Sequence, residues 1–309
     1  MGLLQQEIQR AMESGEFVPN FQPLVDLRSG RLEGFEILAR WQHPVLGLLM
    51  PSDFVPIIER YSQPIQLTSR LLEQAFAAMQ SMPVHLGLSI NAVPEQFRDR
   101  ILLQTISSLA EQTGFDLHRL TVEVTESALF DDLPLASAIA EDLKALGIRL
   151  ALDDFGTGYS SLLHLQALPF DEIKVDRSFV ASMVVSPQSR KIVAAVISLG
   201  QSLGLRTIAE GIESIEQSEL LTGQGCDIGQ GWFFGKPVAA VELPALVAQY
   251  SRCPEAAPIP DHTAHTAKGM PSRRAAAPSP LRIPVKSLTP LQNANRRAIA
   301  GDFSQKKFA

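Results

Sequence analysis

Acidic and amide side chains recur in or at the end of the apolar, β-rich runs of this 309-residue chain. Glu123 interrupts the run Leu120–Glu126, and Asp153 and Asp154 close the run Arg149–Asp154. The other polar residues placed in this way are Glu36, Asn91, Glu126, Lys174, Glu210 and Gln230. Any one of them alone would be read as a solvent-facing strand position, so their repetition is the informative feature.

Carboxylates that meet at one point lose hydration and repel one another, so such a cluster requires cations. Mg²⁺ and Mn²⁺ prefer oxygen ligands, and the six histidines and two cysteines show no HExxH or CxxC spacing. The adjacent Asp153 and Asp154 could serve two ions about 3.5–4 Å apart, an arrangement that suits displacement at phosphorus. Lys174 could orient the attacking water or screen phosphate charge.

Eight apolar runs alternate with helical patterns over residues 1–250, which predicts an α/β fold with a parallel sheet. Eight strands in about 250 residues favour a TIM (β/α)₈ barrel, whose active-site residues come from the C-terminal ends of different strands. The connection 28–31 is too short for a parallel crossover, so the first strand should be antiparallel and the barrel modified. The predicted strands are Val18–Leu27, Leu32–Trp41, His85–Ala92, Leu120–Glu126, Arg149–Asp154, Glu172–Val175, Arg206–Ala209 and Asp227–Phe234. The predicted helices are 52–61, 65–80, 94–113, 133–146, 159–167, 187–203, 214–223 and 239–250.

Composition changes near residue 250 and predicts two regions, a barrel over 1–250 and a tail over 251–309. The tail holds eight prolines, ten Lys or Arg and three Asp or Glu, and no sustained apolar period. Such a segment cannot bury enough apolar surface to fold, so it is predicted to be disordered. Because the chain carries a net charge of −6, the barrel is strongly acidic, which argues against binding a nucleic-acid polymer.

The N-terminal segment reads as an amphipathic helix and lacks the basic start and apolar run of a signal peptide. No stretch approaches the roughly 18 apolar residues of a transmembrane helix. Two cysteines without a paired spacing fit a reducing compartment. These features predict a cytoplasmic protein without a transmembrane segment.

The chain resembles the EAL-domain family of cyclic di-GMP phosphodiesterases over about residues 5–248. Eight family segments occur in order, and the ten-residue stretch DDFGTGYSSL is the most specific of them. The segments lie at Phe21–Asp26, Glu36–Trp41, Ser89–Asn91, Glu123–Glu126, Asp153–Leu162, Ile173–Asp176, Ala209–Glu213 and Gln230–Phe234.

The resemblance implies hydrolysis of cyclic di-GMP to linear pGpG with two Mg²⁺ or Mn²⁺ ions. The metal ligands that it implies are Glu36, Asn91, Glu123, Asp153, Asp154 and Glu210. Lys174 and Glu210 match the pair associated with the catalytic water, and Glu126 matches the glutamate that steadies the loop carrying Asp154. Gln22, Arg40 and Gln230 match positions that contact the nucleotide. Family members are often dimeric, but the sequence indicates no interface and no regulatory partner.

Two departures from the family pattern stand out. Ile37 replaces the alanine of the naming tripeptide, and it should point away from its neighbouring ligand in a strand. The segment Ser62–Ile65 replaces a Gly-Leu-Ile segment, and Pro64 should break the helix there. The alternatives to catalysis are a receptor that binds cyclic di-GMP without cleaving it and a signalling protein whose output is a protein contact. The presence of all the implied ligands and of the Lys174–Glu210 pair favours catalysis.

Overall fold

The computed structural model describes residues 2–60, 64–97, 100–125, 133–156, 165 and 167–251. In this part of the chain there are ten strands: β1 Phe17–Asp26, β2 Leu32–His43, β3 Gly47–Leu49, β4 Gly87–Ala92, β5 Leu120–Thr125, β6 Arg149–Phe155, β7 Glu172–Val175, β8 Arg206–Ala209, β9 Ile228–Gln230 and β10 Val238–Ala239. The α-helices of the same part are α1 Gly2–Glu13, α2 Pro51–Arg60, α3 Pro64–Met79, α4 Ile101–Thr113, α5 Leu133–Ala145, α6 Arg177–Ser182, α7 Pro187–Leu203, α8 Ile215–Gly223 and α9 Leu243–Ser251.

Eight of the strands close into a barrel. Strands β2, β4, β5, β6, β7, β8 and β9 pair in parallel in that order, and β1 closes the circle by pairing antiparallel with both β9 and β2. The predicted α/β barrel with an antiparallel first strand is therefore confirmed. Parallel strands in a barrel bring their C-terminal ends to one face, which places the polar residues of these ends around one mouth.

An aromatic cluster joins the start of the barrel to its outer helices. The ring of Phe17 on β1 lies 5.1 Å from Trp41 on β2 and 5.2 Å from Phe54 on α2, between ring centroids. All three side chains are buried, and aromatic rings of this size contribute much of the apolar area that stabilises a core. The Trp41 indole N–H also donates to Glu16 over 2.9 Å, so burial leaves its polar atom satisfied.

The eighth predicted strand is shorter than expected. It was predicted to reach Phe234, but β9 ends at Gln230. The cause is Gly231, whose φ is +155° and where a Cβ atom would lie only 2.1 Å from the carbonyl oxygen of Ile212. Only glycine tolerates this combination of conformation and close approach, so the chain turns here.

Other boundaries differ because local geometry interrupts the pattern. The predicted helix 94–113 consists of a 3₁₀ turn, Pro94–Phe97, and α4. The predicted helix 239–250 begins as a 3₁₀ turn, Ala240–Glu242, and continues as α9. Helix α6 was missed because its six residues are too few to show a period, although Asp176 caps it by accepting from the Ser178 backbone N–H.

Several predictions concern residues outside the described ranges. The predicted helix 159–167 is described only at residues 165 and 167, and Ser62 and Gln63 of the Ser62–Ile65 departure are also outside. The tail is outside from residue 252 onward, so its disorder remains a prediction. Pro64 stands at the start of α3, where a proline is tolerated because its missing N–H would have no partner. Across the described residues, no helix combines the length and apolarity needed to cross a bilayer.

Candidate active site

Lys174 lies at the centre of the polar cluster in the barrel mouth. Its side chain is fully buried on β7, where a cation requires anionic partners. The amine Nζ lies 2.5 Å from Oε2 of Glu123 and 2.6 Å from Oε1 of Glu210. It also lies 3.5 Å from Oε2 of Glu36 and 3.6 Å from Oδ1 of Asp153. One ammonium group thus faces four carboxylates.

The register of the sheet explains how distant residues meet. Glu123 on β5 is aligned with Asn91 on β4, and Glu36 on β2 is aligned with Gln22 on β1. Because aligned residues on neighbouring strands direct their side chains to the same side of a sheet, each pair enters the mouth together. Asp153 is aligned with Thr125, one pleat beyond the level of Glu123, and Glu210 directly follows β8.

The cluster carries more negative charge than Lys174 can balance. Burial raises the pKa of the Glu123 carboxyl well above its usual range, and the charges of Glu36 and Asp153 add to this effect against the opposing pull of Lys174. Burial likewise raises the pKa of Glu210 to about 8, with Lys174 again opposing. For Lys174, burial lowers the pKa, but the surrounding carboxylates outweigh it and the pKa stands well above its usual value. The amine therefore stays protonated, and the site retains a demand for further positive charge.

Two side-chain amides donate hydrogen bonds to the carboxylate of Glu36. The Asn91 amide donates to Oε1 of Glu36 over 2.7 Å, and the Gln230 amide donates to Oε2 over 2.6 Å. The Gln230 amide nitrogen also contacts Oε1 of Gln22 at 3.0 Å, and the Gln22 amide reaches the carbonyl of Gly235 at 3.4 Å. These contacts connect β1, β2 and β9 across the point where the barrel closes.

Asp154 joins two carboxylates of this cluster, Asp153 and Glu210, in a group that could hold a metal ion. Each offers one oxygen, and these oxygens lie within 4.8 Å of one another. Pairing between β6 and β7 shifts register between Leu152 and Phe155, and Asp154 adopts a φ of +58°. A residue other than glycine in this conformation costs free energy and is typical of functional sites. The bulge turns both aspartates to the mouth, and the Asp154 N–H donates to Oδ1 of Asp153 over 2.8 Å.

The donor set fits divalent cations. Oε1 of Glu123 and Oε1 of Gln230 are buried with no hydrogen-bond partner, and leaving such oxygens unsatisfied is costly. A hard cation would satisfy oxygens of this kind, and carboxylate and amide oxygens are the ligands that Mg²⁺ and Mn²⁺ prefer. Asn91 is exposed at the mouth, and its amide could turn to offer its oxygen instead.

Arg40 lies further along β2, toward the mouth. Its guanidinium is largely buried and donates to the carbonyl of Ala39 over 2.8 Å. Burial lowers the pKa of Arg40, and the charge of Glu36 opposes this. Since a guanidinium presents five donors in a planar fork, Arg40 retains donors suited to a phosphate.

Hydrogen bonds, ion pairs or short carboxylate distances join nine of the predicted site residues: Gln22, Glu36, Asn91, Glu123, Asp153, Asp154, Lys174, Glu210 and Gln230. Arg40 lies on the same strand as Glu36, four residues further along β2. Glu126 lies outside the described residues, as do residues 157–164. Sequence reasoning missed that Lys174 contacts four carboxylates and that Gln22, Gln230 and Glu36 form one hydrogen-bonded chain. Part of this hydrogen-bonded chain could have been predicted, because Gln22 and Glu36 lie opposite each other in the first hairpin.

Comparison with known proteins gives the same assignment for most of the chain. The EAL domain model matches residues 5–237. The cyclic di-GMP phosphodiesterase RocR of Pseudomonas aeruginosa is 37% identical over 237 residues, 75% of this chain and 60% of that protein. The bifunctional diguanylate cyclase/cyclic di-GMP phosphodiesterase MucR of the same organism is 35% identical over 246 residues, 78% of this chain and 36% of that protein. The chain thus spans less than two thirds of the length of these relatives.

A solved structure shares the barrel. The structure described as the PaMucR phosphodiesterase in complex with c-di-GMP superposes with a TM-score of 0.74 at 34% identity, over 78% of this chain and 99% of that one. The conserved fold, the family match over most of the barrel and the carboxylate cluster at its mouth lead to one assignment. The chain belongs to the EAL domain family.

Proposed function

We propose that this chain is a divalent-metal-dependent phosphodiesterase that hydrolyses one phosphodiester bond of cyclic di-GMP and releases linear pGpG. The observation that carries the proposal is the group of four carboxylates around the buried Lys174 amine, three on strands and Glu210 directly after β8. An unpartnered oxygen of Glu123 at the same point favours metal binding over a purely structural ion pair. The relatives RocR and MucR, both named as cyclic di-GMP phosphodiesterases, support the choice of substrate.

The proposed metal site takes two Mg²⁺ or Mn²⁺ ions. Its ligands would be Glu36, Asn91, Glu123, Asp153, Asp154 and Glu210. When bound, such ions lower the pKa of water and offset the charge on the scissile phosphate. The strain and bulge at Asp154 support a role for this residue as a ligand, because they turn a second carboxylate toward the mouth.

The protein groups then act on the proton and the phosphate. Glu210 lies 2.6 Å from the Lys174 amine and beside Asp153 and Asp154, so its carboxylate would be placed to accept the proton of the attacking water once bound cations keep it ionised. Lys174 keeps the carboxylates together and, because it remains protonated, donates a hydrogen bond that orients this water. Glu126 is proposed to steady the segment that carries Asp154.

Substrate binding is assigned to the groups at the edge of the cluster. The Arg40 fork would bind a phosphate in two-point fashion. Gln22 and Gln230, which already share a hydrogen bond, would exchange it for contacts with the nucleotide. These contacts would place the scissile bond over the carboxylates.

A hydrolysis assay on the purified full chain tests the proposal. We expect conversion of cyclic di-GMP to pGpG with Mg²⁺ or Mn²⁺, loss of turnover in Glu36→Ala and Asp153→Ala, and poor turnover with Ca²⁺, whose longer and looser coordination suits the site less well. Lys191→Ala, at an exposed position on α7, is the matched control. Tight binding without product would support a non-catalytic receptor, and neither binding nor product would support a signalling interaction protein.

A further inference from the structure

The hairpin formed by β2 and β3 has an uncharged, apolar tip. No Asp, Glu, Lys or Arg occurs between His43 and Asp53, although the barrel as a whole is strongly acidic. Four apolar side chains of this segment are exposed, from Met50 at 43% to Val45 at 83%, with Leu46 and Leu48 between these values. A run of exposed apolar side chains on the surface of a folded domain marks a contact with another molecule.

The same hairpin forms one edge of the sheet. Among the described strands, β3 pairs with β2 alone and stands at one end of the strand order. A strand in this position presents a row of backbone N–H and C=O groups to which a further strand can be added. Natural sheets often block such an edge with charged side chains, but β3 consists of Gly47, Leu48 and Leu49. The exposed edge is therefore open to pairing.

Local contacts hold the hairpin in its shape. The ring nitrogen Nδ1 of His43 accepts hydrogen bonds from the backbone N–H groups of Val45 and Leu46, each over 3.1 Å. The carboxylate of Asp53 accepts from the Met50 N–H over 2.9 Å. Because these contacts order the edge in advance, pairing with another strand costs less conformational entropy.

A second copy of this chain is complementary to this edge. Antiparallel pairing about a two-fold axis would place Leu48 opposite Leu48 of the second copy, so both exposed edges are used at once and the contact closes as a dimer. Pro44 and Pro51 flank the strand, and because proline has no N–H to donate, they limit the pairing to β3. An anionic lipid surface is a poorer match, since it would repel the acidic barrel.

We propose that the β2–β3 hairpin is a self-association surface, at which the β3 strands of two copies pair side by side. None of residues 44–50 is a predicted site residue, so this contact does not depend on the proposed phosphodiesterase function. Four apolar side chains are far fewer than the roughly 20–30 residues per side of a standard interface, so the dimer should dissociate at micromolar concentrations. Because both barrels are acidic, added salt should strengthen the dimer by screening their repulsion.

Sedimentation of the purified full chain tests the surface. The wild type should pass from monomer to dimer between roughly 1 and 100 μM protein. Leu48→Asp places a charge on the pairing edge and should weaken the dimer by about 10-fold or more, whereas Val185→Asp, at an exposed apolar position outside the hairpin, should not. Both positions are exposed, so both variants should melt like the wild type. A wild type that stays monomeric, or a dimer that Leu48→Asp leaves unchanged, would overturn the proposal.

Cysteine cross-linking separates this surface from a dimer formed elsewhere. Opposed residues of antiparallel strands have Cα atoms about 4.5–5.5 Å apart, within the range that a disulfide spans. In a Cys253→Ser background, where the remaining Cys226 is buried, Leu48→Cys should form a covalent dimer under mild oxidation and Val185→Cys should not. Equal cross-linking at both positions, or none at Leu48→Cys, would contradict the pairing. A monomeric wild type that sediments with zwitterionic vesicles would instead assign the hairpin to a lipid surface.

Discussion

The Nζ atom of Lys174 lies 2.5 Å from Oε2 of Glu123, and both side chains have no exposed surface. Three more carboxylates lie within 3.6 Å of the same amine. Lys174 therefore has two roles in the proposed enzyme: it orients the water, and it keeps the carboxylates from separating under their mutual charge repulsion. This double role leads to a prediction about stability as well as activity.

Lys174→Met should destabilise the metal-free protein by about 3–5 kcal/mol, because it leaves buried carboxylates without their cation. Mn²⁺ should restore part of this loss, since ions held by the same carboxylates stabilise the folded state by mass action. The measurement is urea unfolding in EDTA and in Mn²⁺, with Lys191→Met on the exposed face of α7 as the control. Equal stability of the two variants in EDTA would show that the amine does not hold the cluster together.

The raised pKa of Glu210 predicts that the free energy of unfolding of the metal-free protein depends on pH. Its pKa of about 8 in the folded protein is above the ordinary carboxyl value of about 4.3. Between these values the folded state holds a proton that the unfolded chain has released, so stability should fall as pH rises through this window. The slope from this group is at most about 1.4 kcal/mol per pH unit.

Glu210→Gln should flatten that profile when unfolding is followed in EDTA from pH 5 to 9. Metal affinity of the wild-type protein should rise with pH up to about 8, because binding must displace the proton. Glu219→Gln, on the exposed face of α8, serves as the control and should retain the wild-type profile. A wild-type slope in Glu210→Gln, together with metal affinity that is constant from pH 6 to 8, would contradict this account.

Gly231→Ala should displace the loop that joins β9 to Trp232. Its Cβ would lie 2.1 Å from the Ile212 carbonyl oxygen and 2.2 Å from the Ile212 nitrogen, so the backbone must move. We expect a loss of about 1–3 kcal/mol in the free energy of unfolding and a higher KM, since Gln230, which is proposed to contact the nucleotide, moves with the loop. Gly223→Ala, where an added Cβ meets nothing within 4 Å, should have neither effect; identical melting temperatures and KM values for the two variants would refute the prediction.

The sequence predicted most of the barrel because its signals are local. Glu123 and Asp153 stand out as charges within apolar runs, and the short 28–31 connection required an antiparallel hairpin. By contrast, the four contacts of Lys174 depend on the order in which strands close the circle, which no local pattern encodes. The early end of β9 likewise depends on how close Gly231 comes to Ile212. These residues lie in different segments of the chain, so no local sequence pattern predicts their contact.

The positive φ of Asp154 is another feature that the local sequence pattern does not predict. The run Leu-Ala-Leu-Asp-Asp-Phe predicts a strand that continues through both aspartates. Strand β6 does continue through both aspartates to Phe155, but its pairing with β7 shifts register between Leu152 and Phe155, so that both carboxylates reach the mouth. A regular strand would have sent them to opposite faces, and the adjacency of the two residues alone does not reveal which geometry occurs.

The most direct test of the central claim is turnover of cyclic di-GMP by metal-stripped protein, with and without added Mn²⁺, in the wild type and in Glu123→Gln. Glutamine keeps the shape of Glu123 and an acceptor for Lys174, so the variant should fold; it removes the charge that the ions require. We predict pGpG from the wild type only when Mn²⁺ is present, and a loss of roughly 100-fold or more in Glu123→Gln. Full turnover in EDTA, or wild-type turnover by Glu123→Gln, would contradict the account.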